Sequence, residues 1–470
     1  MKYTITALVH CAVSASLLLA APLTVSAQAI EEIIVTADFR ERPASEMPAS
    51  VTVLDASEVG QLAVQHFEEL INVVPNLNWS GDGHRARYLQ IRGVGELEQY
   101  QGAPNPSVGF LIDDIDFSGI GTIATTFDVE RIEVLRGPQG TRYGANALAG
   151  LVYVQSALPT AVREGRVQLT AGGDDTLAGG VAIGGPLGAG ESLLFRVSAQ
   201  HHESNGFRDN AYLGRDDTNG RDESTVRGRL RWLPADTLSV DLAVLYADVE
   251  NGYDAFAIDN SLTMLSDKPG KDAQQSLGGS LRIEWSAPSW ASLTSITSAA
   301  DSDIDFDFDA DCGNDESWAP VTYDFISLSD RSRRTISQEF RLASSEAGRI
   351  FGGTTDWLAG VYLLDLEDEL LTINQGEYFD PGFDFADSLD DVFGSAYEAL
   401  NIAAFGQLDA ALGAATRLSV GLRLERRTTD YADTGGLQAG PSETMTGGDI
   451  TLSHDHSGEL TSFVTLSKGY

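Results

Sequence analysis

Apolar and polar residues alternate along this chain with two different periods, and the change of period divides it in two. From residue 165 onward the period is two. Thr237 to Ala247 sets Leu238, Val240, Leu242, Val244 and Tyr246 on one face and Ser239, Asp241, Ala243 and Leu245 on the other. That is the pattern of a strand whose two sides meet different surroundings. Thr416 to Glu425 repeats it, with Leu418, Val420, Leu422 and Leu424 opposite Arg417, Ser419, Gly421, Arg423 and Glu425. About thirteen such segments follow one another, ending with Leu460 to Tyr470.

Residues 45–160 mix helical and strand signals. Asp55 with Glu58 has the spacing of a capping box, and Phe67, Leu70, Ile71 and Val74 form a helical face that Pro75 ends. Val108 to Ile112 and Arg131 to Leu135 predict strands. The run Asp128 to Val154 joins a strand, a Gly137-Pro138 turn, a bend around Gly140 and Gly144, and a closing strand from Leu151 to Val154. A small α+β domain is expected here.

A sheet with one apolar and one charged row has two solutions. In a secreted sandwich the apolar face meets a second sheet, whereas in an outer-membrane barrel it meets lipid around a wet lumen. Three features favour the barrel. The segments run to about ten residues or more, long enough for a tilted membrane strand. Turns alternate in length: 186–191, 233–236, 287–290 and 411–414 are short, while 204–221, 251–273, 309–331 and 369–397 are long. Phe195, Trp232, Tyr246, Trp285, Trp290 and Trp357 fall near strand ends, as interfacial girdles do.

The amino terminus adds an address. Lys2, the apolar stretch Ala12 to Pro22 and Val25-Ser-Ala27 form a secretory signal over residues 1–27, so the mature chain is expected to begin near Gln28. Cys312 is then the only mature cysteine and has no internal disulfide partner. Residues 28–44 predict a mostly disordered extension around one apolar knot, Ile30 to Ala37. After the signal no apolar run is long enough for a spanning helix.

A net charge of −38 argues against a nucleic-acid or anionic-lipid binder. The row Asp303, Asp305, Asp307, Asp309 and Asp311 invites a calcium reading. Counted from Asp307, however, the EF-hand positions for Gly and Glu hold Cys312 and Trp318. The row is expected instead to face the lumen and draw cations to a mouth. His66, His84, His201, His202, His454 and His456 show no metal-ligand spacing, and no nucleophile or phosphate motif occurs. No catalytic site, metal or cofactor is expected.

The motifs themselves carry a resemblance. The knot Glu31, Glu32, Ile33, Ile34, Val35, Thr36 and Ala37 resembles a TonB box, a β-prone segment on a tether that adds as a strand to a partner's sheet edge. Pro48 to Val53, Leu70 to Pro75 with Asn76-Leu77, and Pro106 to Gly109 with Asp113-Asp114 resemble stretches of the plug of TonB-dependent outer-membrane receptors. So do the motifs Ile91, Arg92, Gly93 and Arg136, Gly137, Pro138, Gly140, Tyr143, Gly144. Departures are Asp114 where Gly is usual, Arg142 for Leu, and Leu151 to Val154 for a more frequent closing strand. Thr335 to Leu342 resembles a barrel strand of the same family, with Thr335, Ser337, Glu339 and Arg341 toward the lumen and Ile336, Phe340 and Leu342 toward lipid.

The resemblance implies a mainly β protein: a plug over residues 45–160 inside an antiparallel membrane barrel over 161–470, in the outer membrane of a Gram-negative bacterium. It implies import of a scarce ligand, a ferric siderophore or similar iron complex, with TonB as energy-coupling partner. Carbohydrate and cobalamin are the alternative ligands, and a secreted β-sandwich binding or adhesion protein is the rival of another class. Glu339 is expected to meet plug arginine Arg92 or Arg136, with Glu130 and Glu133 as neighbours. About thirteen strands cannot close the family's barrel of about twenty-two, so an incomplete barrel and an amino-terminal fragment are expected.

Overall fold

The computed structural model describes residues 34–35, 42–43, 47, 49–62, 64–81, 85–97, 104, 106–188, 190–457 and 460–470. The signal segment, His84 and the box residues Glu31, Glu32, Ile33, Thr36 and Ala37 lie outside them.

The plug is built on a five-stranded sheet. Its strands are β1 (Ser50–Asp55), β4 (Val108–Ile112), β5 (Ile115–Asp116), β6 (Val129–Arg136) and β7 (Gly150–Ser156), in the order β1-β6-β7-β4-β5. Only β4 and β7 run parallel; the other neighbours are antiparallel. A separate hairpin pairs β2 (Leu77–Ser80) with β3 (Tyr88–Ile91). Helix α1 (Ala56–Gln61) opens with the expected capping box, Asp55 and Glu58 each accepting from the other's backbone. The next segment differs from expectation: Phe67–Asn72 is a 3-10 helix. At three residues per turn Phe67 and Leu70 stack on one buried line, which turns Ile71 to solvent.

Thirteen strands follow in an antiparallel wall. They are β8 (Glu164–Ala171), β9 (Leu177–Pro186), β10 (Leu193–Ser204), β11 (Arg221–Ala235), β12 (Leu238–Tyr253), β13 (Gly270–Trp285) and β14 (Ala291–Asp309). The rest are β15 (Thr322–Ser344), β16 (Thr355–Asp380), β17 (Phe385–Ala411), β18 (Thr416–Asp433), β19 (Ser442–Ser457) and β20 (Leu460–Lys468). Each pairs with the next, and β8 and β20 are the two unpaired edges, so the sheet is open among the described residues. It nevertheless curls around the plug. Arg196 of β10 grips plug Asp128, while Gly469, just past β20, reaches plug residues Leu148 and Pro138.

The alternation works as expected over much of the wall. Leu242, Val244, Leu422 and Leu424 face outward, while Arg423 and Glu425 are enclosed. Thr335, Ser337 and Glu339 also point inward, with Ile336 and Phe340 outward. Trp232, Trp285 and Trp290 lie exposed beside the short turns, and Trp290 stacks on Trp357 at 6.2 Å. The lumen, however, is not uniformly polar: Leu245, Ala247, Ala300 and Ile304 join the plug's own hydrophobic core.

Two expectations are corrected. Residues 369–397 are not a free loop: β16 and β17 stay paired up to Asp380 and Phe385. At about 3.3 Å per residue these strands far exceed what a bilayer needs, so their tall ends stand well above it. The Asp row also faces the other way. Ile304 and Phe306 of β14 are buried toward the plug, and Asp301 and Asp303 lie on the outer face. Beyond them, Asp309 accepts from Ser266 Oγ at 2.7 Å, and Asp311 from Trp318 Nε1 and Phe325 N at 3.0 and 2.8 Å. These acids tie loops together rather than line a mouth.

Candidate functional site at the plug and barrel interface

Charged pairs join plug to wall. The β4–β5 turn places Asp113 and Asp114 at φ 51° and 69°, a left-handed backbone that Asp tolerates better than most residues. The Asp114 carboxylate accepts from Arg282 Nε and Nη2 at 3.1 and 2.9 Å and from Tyr153 Oη at 3.1 Å. Burial alone would raise its pKa, but the Arg282 charge outweighs that and holds the carboxyl below its ordinary 3.8. Asp113 takes Arg229 Nη1 at 3.0 Å, and Asp128 takes Arg196 Nε at 2.8 Å. Glu68 takes Arg221 Nη2 at 3.0 Å. Arg227 reaches the carbonyls of Thr125 and Phe127. Other contacts run the opposite way: plug Arg85 donates to Asp272 of β13 at 2.9 Å and to Gln274 at 2.7 Å, and plug Arg87 to Asp272 at 3.1 Å.

The expected latch through Glu339 does not form. Glu339 is buried against Arg341, two residues along on the same face of β15. Arg136 stays within the plug, because Ser50 lies directly across the β1–β6 ladder from it. It donates to Ser50 Oγ at 3.0 Å and Thr52 Oγ1 at 2.7 Å. Arg92 is exposed, with φ 55°. Glu133 is enclosed beside Arg131, and Glu130 is exposed. The motif glycines do close work instead. Gly144 has φ 73°, and a Cβ there would meet Glu425 Oε2 at 2.8 Å, so α2 (Gly140–Tyr143) turns against the wall only with glycine after it. Thr141 donates to Asp449 at 2.9 Å. The sequence signal for the real latch was Asp114 in a glycine's place.

Of the cavities between plug and wall, two lie at opposite ends. One, of about 370 Å³, opens among the tall ends of β14 to β17 and is lined by plug residues Arg85, Arg87 and Tyr88 and wall residues Phe306, Arg331 and Tyr397. Arg87 stacks over Phe306 at 3.5 Å, and Arg331 forks onto Asp368 at 2.9 and 2.7 Å. In an outer-membrane barrel the tall end is the outer one. A larger cavity, about 990 Å³, lies at the short-turn end between the β11–β12 and β13–β14 turns, with Asp114, Arg229 and Arg282 at its margin. Asp114 and Arg282 thus sit on the border between plug and inner opening.

Spacing in the sequence gave no sign of a third feature. His66, just before the 3-10 helix, meets Glu223 of β11 at 2.7 Å and the ring of His202 of β10 edge-on at 4.9 Å. Burial opposes charge on His66, but the Glu223 carboxylate carries its pKa up to about 9. At the amino terminus, Ile34–Val35 pairs antiparallel with Arg42–Pro43, and Val35 is fully buried beside Met47, Leu135, Leu151 and Tyr153. Val35 is thus docked on the plug, unlike the mostly disordered extension expected over residues 28–44.

A plug sheet enclosed by an open antiparallel wall, tied by charged pairs, defines a plugged outer-membrane barrel. Residues 43–151 match the family profile of the TonB-dependent receptor plug domain. The pesticin receptor of Yersinia pestis is 30% identical over 207 residues, 43% of this chain and 30% of that protein. The vitamin B12 transporter BtuB of Vibrio vulnificus strain YJ016 is 25% identical over 225 residues, covering 47% and 36%. The crystal structure of the ferric yersiniabactin uptake receptor FyuA from Yersinia pestis superposes with a TM-score of 0.73 at 20% identity, over 89% of this chain and 64% of that one. The chain carries a TonB-dependent receptor plug domain over residues 43–151 and a wall with the fold of such a receptor's barrel. Its matched segments span about a third of the length of these two curated relatives.

Proposed function

We propose that this chain supplies the plug and wall strands of a receptor that imports a scarce ligand, an iron–siderophore complex, across the outer membrane with energy delivered through TonB. The outer cavity carries this reading. Arg85, Arg87 and Arg331, each paired with Asp272 or Asp368, set guanidinium donors beside Tyr88, Phe306 and Tyr397, which suits a polar, ring-bearing ligand with acceptor groups. The likeness to the ferric yersiniabactin uptake receptor FyuA supports the same chemistry. The box from Glu31 to Ala37 is the proposed TonB contact, and strand addition there would pull on the plug through the Ile34–Val35 ladder. The salt-bridged plug surface then holds at rest and shifts under force.

Direct binding tests the ligand. Full-length receptor in detergent is titrated with ferric siderophores, cobalamin and an oligosaccharide. Tight binding of a ferric siderophore, weakened roughly tenfold or more by Arg331→Ala, is expected, since one hydrogen bond to a charged group contributes about 1.5–3 kcal/mol. Binding of cobalamin or oligosaccharide alone would refute the iron assignment and leave the receptor class standing.

A further inference from the structure

The segment between α1 and the 3-10 helix presses His66 against β10 and β11 near their tall ends. His66, His202 and Glu223 are all buried, and each offers a ligand atom within 4.8 Å of the others. Two surrounding features resemble a metal site more than a simple ion pair. His66 Nδ1 faces Glu69 Oε1 at 3.5 Å while its Nε2 points to Glu223, and Glu223 Oε1 is fixed by Asn251 Nδ2 at 3.0 Å. Such carboxylate and amide contacts orient metal ligands from behind. His202 Nδ1, in turn, is buried without a hydrogen-bond partner, an arrangement that native structures avoid unless another group takes up the lone pair or proton.

We infer that His66, His202 and Glu223 form a binding site for a transition-metal cation of the zinc class, which staples the plug to the barrel wall. Two imidazoles and one carboxylate suit Zn²⁺, Ni²⁺ or Cu²⁺ and disfavour the oxygen-seeking Ca²⁺ and Mg²⁺. Three protein ligands leave a fourth position open. Bonds of about 2.0–2.2 Å in a tetrahedron place ligand atoms roughly 3.3–3.5 Å apart, so loading opens the 2.7 Å contact between His66 and Glu223 by about half an ångström and sets His202 at the same spacing. Arg221 Nη1, 3.8 Å from Glu223 Oε1, opposes a cation, whereas Glu68 on Arg221 and Glu69 on His66 offset it. Because one ligand comes from the plug and two from the wall, the ion would bridge two bodies that must separate or slide during transport. The inference is independent of which ligand the receptor carries.

The test uses full-length receptor in detergent, stripped with a chelator and titrated with Zn²⁺ against a chromophoric competitor. One site per chain, a rise in the plug's thermal midpoint and a four-coordinate Co²⁺ absorption spectrum are expected. His202→Phe keeps an edge-on ring but removes the nitrogen ligand. It should weaken Zn²⁺ by about tenfold or more and abolish the midpoint rise, with metal-free stability nearly unchanged. Glu223→Gln, which keeps an acceptor for Asn251, should weaken Zn²⁺ likewise and serves if the Phe variant does not fold. Failure to bind Zn²⁺ at micromolar concentration, or unchanged binding in both variants, overturns the inference. So does binding lost only in His454→Ala/His456→Ala, whose exposed rings lie 4.7 Å apart.

Discussion

Asp272 offers the most direct test of how the plug is held. Its side chain is fully enclosed and accepts from Arg85 Nη2 at 2.9 Å and from Arg87 Nη2 at 3.1 Å. Asp272→Asn preserves shape but removes the counter-charge that the two guanidinium ions share. Removing one partner of a buried pair costs about 3–5 kcal/mol. Arg85 keeps Gln274 Oε1 at 2.7 Å and the Thr122 carbonyl at 3.2 Å, so the lower end, about 3 kcal/mol, is expected here. With a urea slope of about 2 kcal/mol per molar, the plug midpoint should fall by about 1.5 M. Trp79 on β2, the plug's tryptophan, reports that transition by fluorescence in detergent, where barrel strands persist. Adding Arg85→Gln should recover part of the loss, because the unpaired charge goes with it. A fall below about 0.3 M, or full additivity in the double variant, would mean that the pair is solvated and does not hold the plug.

Other outcomes follow from the same geometry. Asp114→Gly should destabilise the plug less than Asp114→Ala, by about 1 kcal/mol on the Trp79 urea curve, because both lose Arg282 but only Gly is at ease at φ 69°. The Asp114 carboxyl is held below 3.8, so its contribution is fully present above that value and is lost only as pH falls through the lower folded-state pKa. The difference between wild type and Arg282→Gln should therefore be the same at pH 5 and pH 7. Gly144→Ala must adopt φ 73° and push Glu425 and Arg423 aside, roughly 2–4 kcal/mol in sum, read as a lowered urea midpoint. Ile34→Pro removes a ladder donor from the proposed box; radiolabelled ligand uptake should vanish while surface binding stays, and unchanged uptake would refute the box's role.

Sequence alone determined which residues share a face and where the chain turns. It predicted the capped helix after Asp55, the strand after Gly150, the inward row Thr335, Ser337 and Glu339, the short turns and the number of wall strands. All of these are local: a period, a cap or a glycine at positive φ is fixed by neighbours a few residues away. Tertiary structure alone decided which face of β14 meets the plug and which charge meets which. Because the plug fills the lumen, an apolar row can be buried on either side of the wall, so Ile304 and Phe306 turned inward and the Asp row outward. Arg136 spent its donors on hydroxyls across its own ladder, and Glu339 on an arginine two residues away, before either could span the gap. The pairs that do span it, Asp114 with Arg282 and Arg85 with Asp272, join residues remote in sequence, and only packing the plug inside the wall brings them within reach.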